Sequence, residues 1–354
     1  MAAKDFSQER MRDFRRVLKQ AGLDGYLTAD PLEQRYLSGI ELSAGEAVFL
    51  VTPSKAWCVT KQLIASKMLP AAKFLKTVIV PFGGMLDGAL AEIKKRGLNT
   101  VAFDPALVDL ATGQRLLDSG LCRAEGLVGE MRLKKYEDEV ARIKKACKIA
   151  AQAFDEVFPQ IKTGMTEDEV RILMAVAMIS RGADSVPFNI VCFGENTADA
   201  HHTASKTRKL KAEEPVLMDF GCFYEGYCSD MTRSWWHGKK EPAEYKKIWN
   251  IVDKARTAGV KALRPGVAAG DIDRAARSVI EAAGYGKEFF HTTGHAIGLV
   301  VHDRPILRSG APDELEENFV VTVEPGIYFD GRWGIRLEDS YLLTKDGSKK
   351  LTHK

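Results

Sequence analysis

The 354-residue sequence predicts an α/β (α+β) protein of two domains. The first third alternates helical and strand-like segments, whereas the remainder combines pairs of long helices with strand-rich stretches. Every histidine lies beyond residue 200, and residues 1–127 contain no compact acidic cluster. We therefore expect a small non-catalytic domain at 1–127 and a larger domain that carries the chemistry at 128–354.

Hydrophobic periodicity and turn residues predict the elements of the first domain. A helix is expected at 8–22, followed by a strand near Gly25–Thr28. The stretches AVFLVTP and AWCVTK, joined by a Pro53–Ser54 turn, predict a β-hairpin. The remaining elements are strands at TVIVPF and NTVAFD and helices at about 62–71, 84–96 and 106–118. This order predicts a mixed sheet flanked by helices.

The second domain is expected to begin with a long amphipathic helix that starts after Tyr136 and ends before Gly164. Thr166 and Glu169 fit the Ser/Thr-x-x-Glu pattern that caps a helix, and Gly182 ends that helix. Strands follow at FNIVCFG, VLMDFGCFY and YCSDMTRSWW. A second helix pair is predicted at about 242–262 and 269–284, before a strand-rich remainder.

Composition argues against several classes of function. The net charge of +3 is too small to indicate nucleic-acid binding, and no apolar run approaches the roughly 20 residues that span a bilayer. The charged start lacks the apolar core of a secretory signal. Six scattered cysteines without a CxxC pair indicate free thiols in a reducing compartment, so we expect a cytoplasmic protein.

Five side chains in the C-terminal part are candidate metal ligands. They lie in the segments VLMDFGCFYEGYCSDMTRSW, HTTGHAIGLVVHDRP, VVTVEPGIYFDG and WGIRLEDSYLL. Four carboxylates and one imidazole would hold two divalent cations at near-zero net charge. The flanking residues are apolar, and an acid in an apolar strand core rarely lacks a partner. The candidates are Asp219, Asp230, His295, Glu324 and Glu338.

The first pair of acids lies in a predicted hairpin. If the chain reverses at Tyr224–Glu225, Asp219 faces Asp230 directly across the two strands. A reversal one residue later, at Glu225–Gly226, breaks this pairing, and the sequence leaves both registers open.

The second pair lies in another predicted hairpin. A reversal centred on Gly331 in FDGRW places Glu324 opposite Glu338. Like charges directly opposite one another destabilise a sheet, and a cation between them removes the repulsion.

Three polar neighbours support a metal site on these strands. Thr232 lies two residues from Asp230, and Thr322 lies two residues from Glu324, so each threonine can hydrogen-bond a ligating carboxylate. Arg336 lies beside the acid of RLED and is expected to orient it or to hold a substrate carboxylate.

Together these segments resemble the metal-dependent members of the creatinase/methionine aminopeptidase (pita-bread) family, most closely the Xaa-Pro dipeptidases (prolidases) and aminopeptidases P. The likeness covers nearly the whole chain. RRVLKQAGLDGYLTADPLEQRYLSG is similar to the family's N-terminal domain, and the part from FNIVCFGENTADAHH onward is similar to its catalytic domain. The resemblance implies a small creatinase-like α/β domain followed by a pita-bread catalytic domain.

The resemblance also implies individual roles. The family's DxG, SDxTR, GHGxG, TVEPG and RxED motifs bind two metal ions, and they fall on the five candidates above. Glu324 matches the acid that also handles the proton of the attacking water. The histidines that bind substrate or stabilise the tetrahedral intermediate fall on His201, His291 and His302. His202 is the alternative to His201 and an expected substrate contact.

The sequence departs from the family pattern in four places. GHAIG replaces GHGIG, so Ala296 narrows one backbone approach, and VHDRP shortens an acid at Asp303. ADAHH lacks a proline before its histidines, and Asn318 and Phe319 stand where glycine and methionine are usual. These departures concern fine specificity and leave the metal ligands intact.

The resemblance implies a dinuclear exopeptidase that removes an N-terminal residue preceding proline, working as a homodimer. Mostly oxygen ligands favour manganese or cobalt, with zinc as the alternative. Three rivals stay open. A methionine aminopeptidase keeps the ligands but generally lacks the N-terminal domain, a creatinase-type amidinohydrolase works without metals and lacks the acid set, and a non-catalytic binding protein of this fold usually loses ligands.

Overall fold

The structure is a computed structural model that describes residues 6–71 and 73–352. It divides into two compact units, Met1–Arg132 and Leu133–Lys354. Both units combine helices with β-sheets, as the predicted α/β class requires. The sequence placed the division slightly earlier, at residue 127. Within the described ranges, no helix combines the length and apolar character that a membrane span requires.

The first unit is a single sheet flanked by helices. Its helices are α1 Ser7–Gln20, α2 Pro31–Ser38, α3 Gln62–Ala71, α4 Met85–Lys95, α5 Leu110–Asp118 and α6 Leu127–Leu133, which ends at the division. Its strands are β1 Gly25–Thr28, β2 Ala47–Val51, β3 Ala56–Thr60, β4 Leu75–Ile79, β5 Val101–Phe103 and β6 Cys122–Arg123. The sheet order is β4-β3-β2-β1-β5-β6. Val51 pairs with Ala56, which confirms the predicted hairpin at the Pro53–Ser54 turn.

The sequence analysis missed α2, although both of its ends carry local signals. The Asp30 side chain accepts a hydrogen bond of 2.8 Å from the backbone N–H of Glu33, and Pro31 occupies the first turn. Gly39 ends the helix in the left-handed conformation, with φ of 74°. The helix has only eight residues, which is too short for apolar periodicity to reveal it.

Glu33 is a buried acid in this unit, with 2% of its surface exposed. The hydroxyl of Tyr26 lies 3.1 Å from both carboxylate oxygens. Burial raises the pKa of Glu33 to about 7, and the charges of Asp30 and Asp104 also raise it. Between the ordinary carboxyl pKa and this value, the folded chain keeps a proton that the unfolded chain has released. Stability therefore falls as the pH rises through this window.

We predict that Glu33→Gln removes this pH dependence, because an amide does not titrate in this range and its oxygen still accepts the Tyr26 hydrogen bond. The free energy of unfolding of the variant, measured relative to that of wild type, should rise by about 3 kcal/mol as the pH increases from 4.5 to 7.5. Native-state hydrogen exchange of the buried β2 amides measures this free energy within the full chain. The exposed Glu125→Gln serves as the control. A difference between variant and wild type that stays constant with pH contradicts the assignment.

The described residues of the second unit form two pairs of α-helices and three sheets. Its helices are α7 Glu137–Val157, α8 Glu167–Ser180, α9 Ala243–Ala262 and α10 Ala269–Ala282. Its first strands are β7 Ser185–Phe193, β8 Glu214–Tyr224, β9 Tyr227–Cys228 and β10 Met231–His237. The later strands are β11 Gly294–Ala296, β12 Asp303–Leu307, β13 Val320–Val323, β14 Gly326–Phe329, β15 Trp333–Arg336, β16 Asp339–Thr344 and β17 Gly347–Lys350.

Each helix pair packs against a different set of strands. The helices α7 and α8 bury Ala150 and Met174 against Val191 and Met218 of the β10-β8-β7 sheet. The helices α9 and α10 pack on the β14-β15 ribbon and on the second sheet, ordered β12-β11-β13-β16-β17. The predicted alternation of helix pairs and strands is therefore present in the described residues.

The start of α8 follows the predicted capping pattern. The Thr166 hydroxyl accepts a hydrogen bond of 3.1 Å from the Glu169 backbone N–H. The Glu169 side chain accepts one of 2.6 Å from the Thr166 backbone N–H in return. This reciprocal capping box fixes the position at which α8 begins, and so the position of its first residue.

Candidate metal centre

Two of the five candidate ligands lie within strands of the second unit, and three lie directly beside strands. Asp219 is within β8, and Asp230 lies between β9 and β10. His295 is the middle residue of β11. Glu324 directly follows β13, and Glu338 directly precedes β16. Residues beside the ends of strands are not held by the regular hydrogen-bond pattern of a sheet. The side chains of Asp230, Glu324 and Glu338 can therefore turn toward a common point.

The predicted pairing of Asp219 directly with Asp230 is wrong, and the alternative register is the one observed. Thr232 stands opposite Asp219, and the chain reverses at Glu225–Gly226. Both turn residues have positive φ, 46° and 79°, as a two-residue type I′ hairpin requires. Asp230 lies two residues from Thr232, so the two aspartates are diagonal neighbours on one face rather than direct partners.

The second hairpin has the predicted register. Gly326 pairs with Arg336 in the β14-β15 ribbon, and Val323 pairs with Asp339 between β13 and β16. Glu324 and Glu338 occupy equivalent positions in the gap between these two ladders. Gly331 adopts a φ of 67° at the turn on which the prediction was centred.

The ligand atoms of these side chains converge. The His295 Nε2 atom lies 3.3 Å from Glu324 Oε1 and 3.6 Å from Asp230 Oδ2. One ligand atom from each of Asp230, His295 and Glu338 lies within 4.8 Å of the others. All three of these residues are buried. Chain segments that are distant in sequence therefore place oxygen and nitrogen donors around one small volume.

Burial makes this concentration of negative charge unfavourable by itself. Burial raises the pKa of Asp230 well above the ordinary carboxyl value, and the charges of Glu338, Asp219 and Glu324 raise it further. Burial likewise raises the pKa values of Glu324 and Glu338. Burial lowers the pKa of His295, which favours the neutral imidazole. A divalent cation would compensate the acids and accept the imidazole lone pair.

The donor atoms fit such a cation. Among the described residues, neither Asp219 Oδ1 nor Glu338 Oε1 has a hydrogen-bond partner, although both atoms are buried. The Nδ1 atom of His295 lies 3.1 Å from the Ala296 carbonyl, which can only accept, so Nδ1 carries the hydrogen and Nε2 presents a lone pair. Carboxylate oxygens and one imidazole nitrogen suit hard or borderline divalent ions.

All five candidates line one cavity of about 810 Å³. His201, His291, His302 and Arg336 line the same cavity. Apolar side chains complete its wall, including those of Pro187, Phe188, Ile190, Phe290 and Val301. A cavity of this size and mixed character suits a small ligand that has both charged and apolar parts.

The family of the chain follows from comparison with known proteins. Residues 141–345 match the family described as Metallopeptidase family M24, and residues 10–134 match the Creatinase/Prolidase N-terminal domain. The chain belongs to metallopeptidase family M24. The resemblance inferred from the motifs is thereby confirmed, as is the fold of a creatinase-like domain followed by a pita-bread catalytic domain.

Individual relatives cover the whole length of this M24 peptidase. An uncharacterized peptidase of Bacillus subtilis, YqhT, is 31% identical over 97% of this chain and 98% of its own. The structure of a Xaa-Pro dipeptidase from Bacillus anthracis has a TM-score of 0.93, 31% identity and 98% coverage of both chains. That of an X-Pro aminopeptidase from Thermotoga maritima has a TM-score of 0.88 and 31% identity, covering 96% of this chain and 98% of its own.

Arg336 has partners other than the one predicted. It was expected to orient Glu338 or to hold a substrate carboxylate. Its Nη2 atom lies 2.6 Å from Asp219 Oδ2, and its Nη1 atom donates to Tyr328 Oη at 2.7 Å. Its Nε atom donates to Thr232 Oγ1 at 3.2 Å. The side chain is 2% exposed, so it is a buried cation that offsets part of the acidic charge.

Of the two threonines, Thr322 makes the predicted contact and Thr232 makes a different one. The Thr322 hydroxyl lies 3.3 Å from Glu324 Oε1, as expected. The Thr232 hydroxyl was expected beside Asp230 but donates to Glu338 Oε2 at 2.7 Å. The shifted hairpin register explains this change, because it moves Thr232 opposite Asp219 and toward the second hairpin.

Three of the predicted histidines, His201, His291 and His302, line the cavity, and His202 does not. His201 lines the cavity, whereas the cavity lining omits His202, whose Nε2 atom lies 2.8 Å from Glu167 Oε2. The ring of His302 lies 4.2 Å from the ring of His295, measured between centroids. Of the two alternatives left open by the sequence, the structure therefore brings His201 to the candidate site and places His202 elsewhere.

His291 is held by a residue that the sequence analysis missed. Its Nδ1 atom donates to the Thr292 carbonyl at 2.8 Å, so its Nε2 atom accepts the hydrogen bond of 3.0 Å from the Tyr328 hydroxyl. Burial and the charge of Arg336 lower the pKa of His291 to about 3, which keeps the ring neutral. The spacing of Tyr328 from Glu324 gave no direct signal, because Glu324 follows β13 and Tyr328 lies in the next strand, β14, of a different sheet.

We predict opposite effects of Asp230→Asn on stability with and without metal. In a chelator, the variant should melt at least a few degrees above wild type, because it removes one buried charge from the acidic cluster. With excess Mn²⁺, wild type should gain about 3 kcal/mol or more, and the variant much less. Thermal melts of both proteins in both buffers measure the effect.

The exposed Asp155→Asn on α7 is the matched control and should follow wild type in both buffers. A metal-free Asp230→Asn protein that melts below this control contradicts the charge argument. Equal stabilisation of the wild type and the Asp230 variant by Mn²⁺ contradicts the assignment of Asp230 as a ligand.

Proposed function

We propose that this M24 peptidase is a dinuclear metal-dependent exopeptidase that hydrolyses the bond between an N-terminal residue and a following proline. The observation that carries the proposal is the convergence of buried acids and one neutral imidazole on a cavity with an apolar wall. The named activities of similar structures, a Xaa-Pro dipeptidase and an X-Pro aminopeptidase, support the choice of bond.

The proposed metal ligands are the five candidate residues of the cavity, four carboxylates and one imidazole. Two divalent ions held there supply Lewis-acid chemistry, since they lower the pKa of water and polarise the scissile carbonyl. Manganese or cobalt is the proposed metal, with zinc as the alternative, because oxygen donors predominate. The ligands are Asp219, Asp230, His295, Glu324 and Glu338.

Glu324 is the proposed proton carrier. Without a cation, burial raises the pKa of Glu324, and a bound cation would lower it again. This role therefore rests on the position of the carboxylate in the cavity and on its match to the TVEPG motif. The Thr322 hydroxyl, 3.3 Å from Oε1, fixes the orientation of the carboxylate. Glu324 would accept the proton of the attacking water and deliver it to the leaving proline nitrogen.

The cavity histidines are proposed to hold the substrate. His201 and His302 line the cavity and can hydrogen-bond the peptide carbonyl as negative charge develops on its oxygen. His291 has both ring nitrogens engaged, by Thr292 and Tyr328. A substrate contact at its Nε2 atom therefore requires the Tyr328 hydrogen bond to be exchanged for one with the substrate.

Charge and shape suggest how the peptide lies. The acidic residues would attract its free amino terminus, and the buried Arg336 is the proposed partner for a substrate carboxylate. Apolar wall residues such as Phe188 and Ile190 can contact the proline ring or the first side chain. His202 was expected to contact substrate, but its hydrogen bond to Glu167 makes His201 the proposed contact instead.

Two further properties belong to the proposal. The six free cysteines support a reducing compartment, and we propose the cytoplasm. A homodimer is proposed from the family resemblance and can be measured by light scattering. Neither nucleic acid nor membrane is among the proposed partners.

We predict that the Mn²⁺-loaded protein cleaves Ala-Pro, Ala-Pro-Ala or both, and cleaves Ala-Ala about a hundredfold more slowly. Asp230→Asn should abolish turnover, whereas Asp155→Asn should leave it unchanged. Release of alanine from each peptide, followed by chromatography, measures all of these rates. Cleavage of Ala-Pro alone indicates a dipeptidase, and cleavage of the tripeptide indicates an aminopeptidase.

Other outcomes separate the rival functions. Ala-Ala cleaved as fast as Ala-Pro overturns the proline specificity while leaving a metallopeptidase. Cleavage of Met-Ala-Ser but not of Ala-Pro identifies a methionine-aminopeptidase-like enzyme. Metal content near zero after incubation with Mn²⁺, together with no turnover, identifies a non-catalytic binding protein of this fold.

A further inference from the structure

A buried carboxylate outside the metal ligands ties down part of the cavity wall. Glu167, the first residue of α8, is 0% exposed. Its Oε1 atom accepts hydrogen bonds from the Phe193 backbone N–H at 2.8 Å and from Asn196 Nδ2 at 2.9 Å. Its Oε2 atom accepts them from the Ser205 backbone N–H and from His202 Nε2, both at 2.8 Å.

Four nitrogen atoms surround this carboxylate, and three of them can only donate. The fourth, His202 Nε2, donates in the tautomer that carries its hydrogen on Nε2. Among the described residues, His202 is the group that lies within ion-pair distance of Glu167. The N-terminus of α8, where Glu167 stands, adds favourable backbone dipoles.

The four donors lie at the two ends of one chain segment, 193–205. Phe193 ends β7, and Ser205 begins the stretch that returns toward β8. Between them lie residues 198–201, all of which line the cavity. The Glu167 carboxylate therefore bridges the two ends of this segment, which are also held by pairing with β8 and by a backbone hydrogen bond from the start of α8.

The same hydrogen bonds separate the roles of two adjacent histidines. His202 is held at Glu167, and its Nδ1 atom lies 4.0 Å from Asp199 Oδ2. His201 is left to line the cavity, where its backbone N–H donates to Asp199 Oδ1 at 3.0 Å. If His202 were released, the segment would lose the contact that fixes which of the two rings faces the site.

A second anchor holds the other side of this loop. Thr197 Oγ1 accepts a hydrogen bond of 2.9 Å from the Gly334 backbone N–H and donates to the Gly194 carbonyl at 2.7 Å. A Cβ atom at Gly334 would lie only 2.4 Å from the Thr197 carbonyl oxygen, so the loop packs directly on β15. Loss of the Glu167 carboxylate would therefore loosen residues 198–205, while the Thr197 anchor and the pairing of Phe193 with β8 remain.

We propose that Glu167, acting with His202, is a positioning residue that holds segment 193–205 so that His201 faces the substrate. The proposal deepens the proposed peptidase function and rests on it for its activity readout. Its structural readout is independent of any substrate, so the two claims can fail separately.

The structural test uses trypsin on the native, full-length protein. The peptide bond after the exposed Lys206 is cut when the segment opens, and the rate of cutting reports the population of the open form. Glu167→Gln keeps the size of the side chain but turns an amide N–H₂ toward donors. We expect cutting after Lys206 to be about tenfold faster, which corresponds to the loss of one charged hydrogen bond.

The activity test uses the same substitution in two backgrounds. In wild type, Glu167→Gln should lower kcat for Ala-Pro about tenfold, with Mn²⁺ content unchanged. In a His201→Asn background it should cause less than about a twofold further loss, because the residue acts through His201. Asp155→Asn, which is exposed on α7 away from this loop, is the control and should match wild type in both tests.

A second pair of variants keeps the proposal testable if Glu167→Gln fails to fold. His202→Gln retains an N–H donor toward Glu167, and His202→Leu does not, so the leucine variant should be cut faster and lose more kcat. Equal losses of kcat in both backgrounds, or unchanged cutting after Lys206, overturn the positioning role. Absence of turnover by wild type counts against the proposed function, and the trypsin result then decides the positioning role alone.

Discussion

The catalytic unit is organised around a concentration of buried negative charge that the protein cannot neutralise by itself. Buried acidic side chains approach one another around the cavity, and at 4 Å a like-charged pair costs about 4 kcal/mol at an effective dielectric constant of 20. Arg336 offsets part of this charge through Asp219. Carboxylate oxygens without partners remain on Asp219 and Glu338. A cation would satisfy these oxygens, which is why we propose a metal site there.

Strand geometry determines which acids meet and how much of this could be predicted. The second hairpin follows from the sequence, because Gly331 provides a clear reversal with a positive φ. The first hairpin does not, because Tyr224–Glu225 and Glu225–Gly226 are neighbouring candidates and only the turn conformation selects the second. The shift by one residue still leaves Asp219 and Asp230 on one face of the sheet. The two aspartates therefore lie near one another in either register.

The features that the sequence did not reveal are long-range hydrogen bonds and short elements. Residue spacing predicts neighbours along a strand, but the partners of Arg336 and Thr232 are set by how the hairpins pack together. Glu167 reads in sequence as an ordinary first-turn acid of a capped helix, and only the fold shows that it holds a cavity-lining loop. The helix α2 was missed because eight residues carry too little periodicity.

We propose that two divalent ions bind among these five side chains, and anomalous diffraction tests this binding most directly. Crystals of the full-length protein soaked in Mn²⁺ and measured at the manganese edge should show two peaks per chain, both bonded to the carboxylates of the cluster and one to His295. Peaks that lie elsewhere, or a cluster that remains without bound manganese at millimolar concentration, would contradict the account.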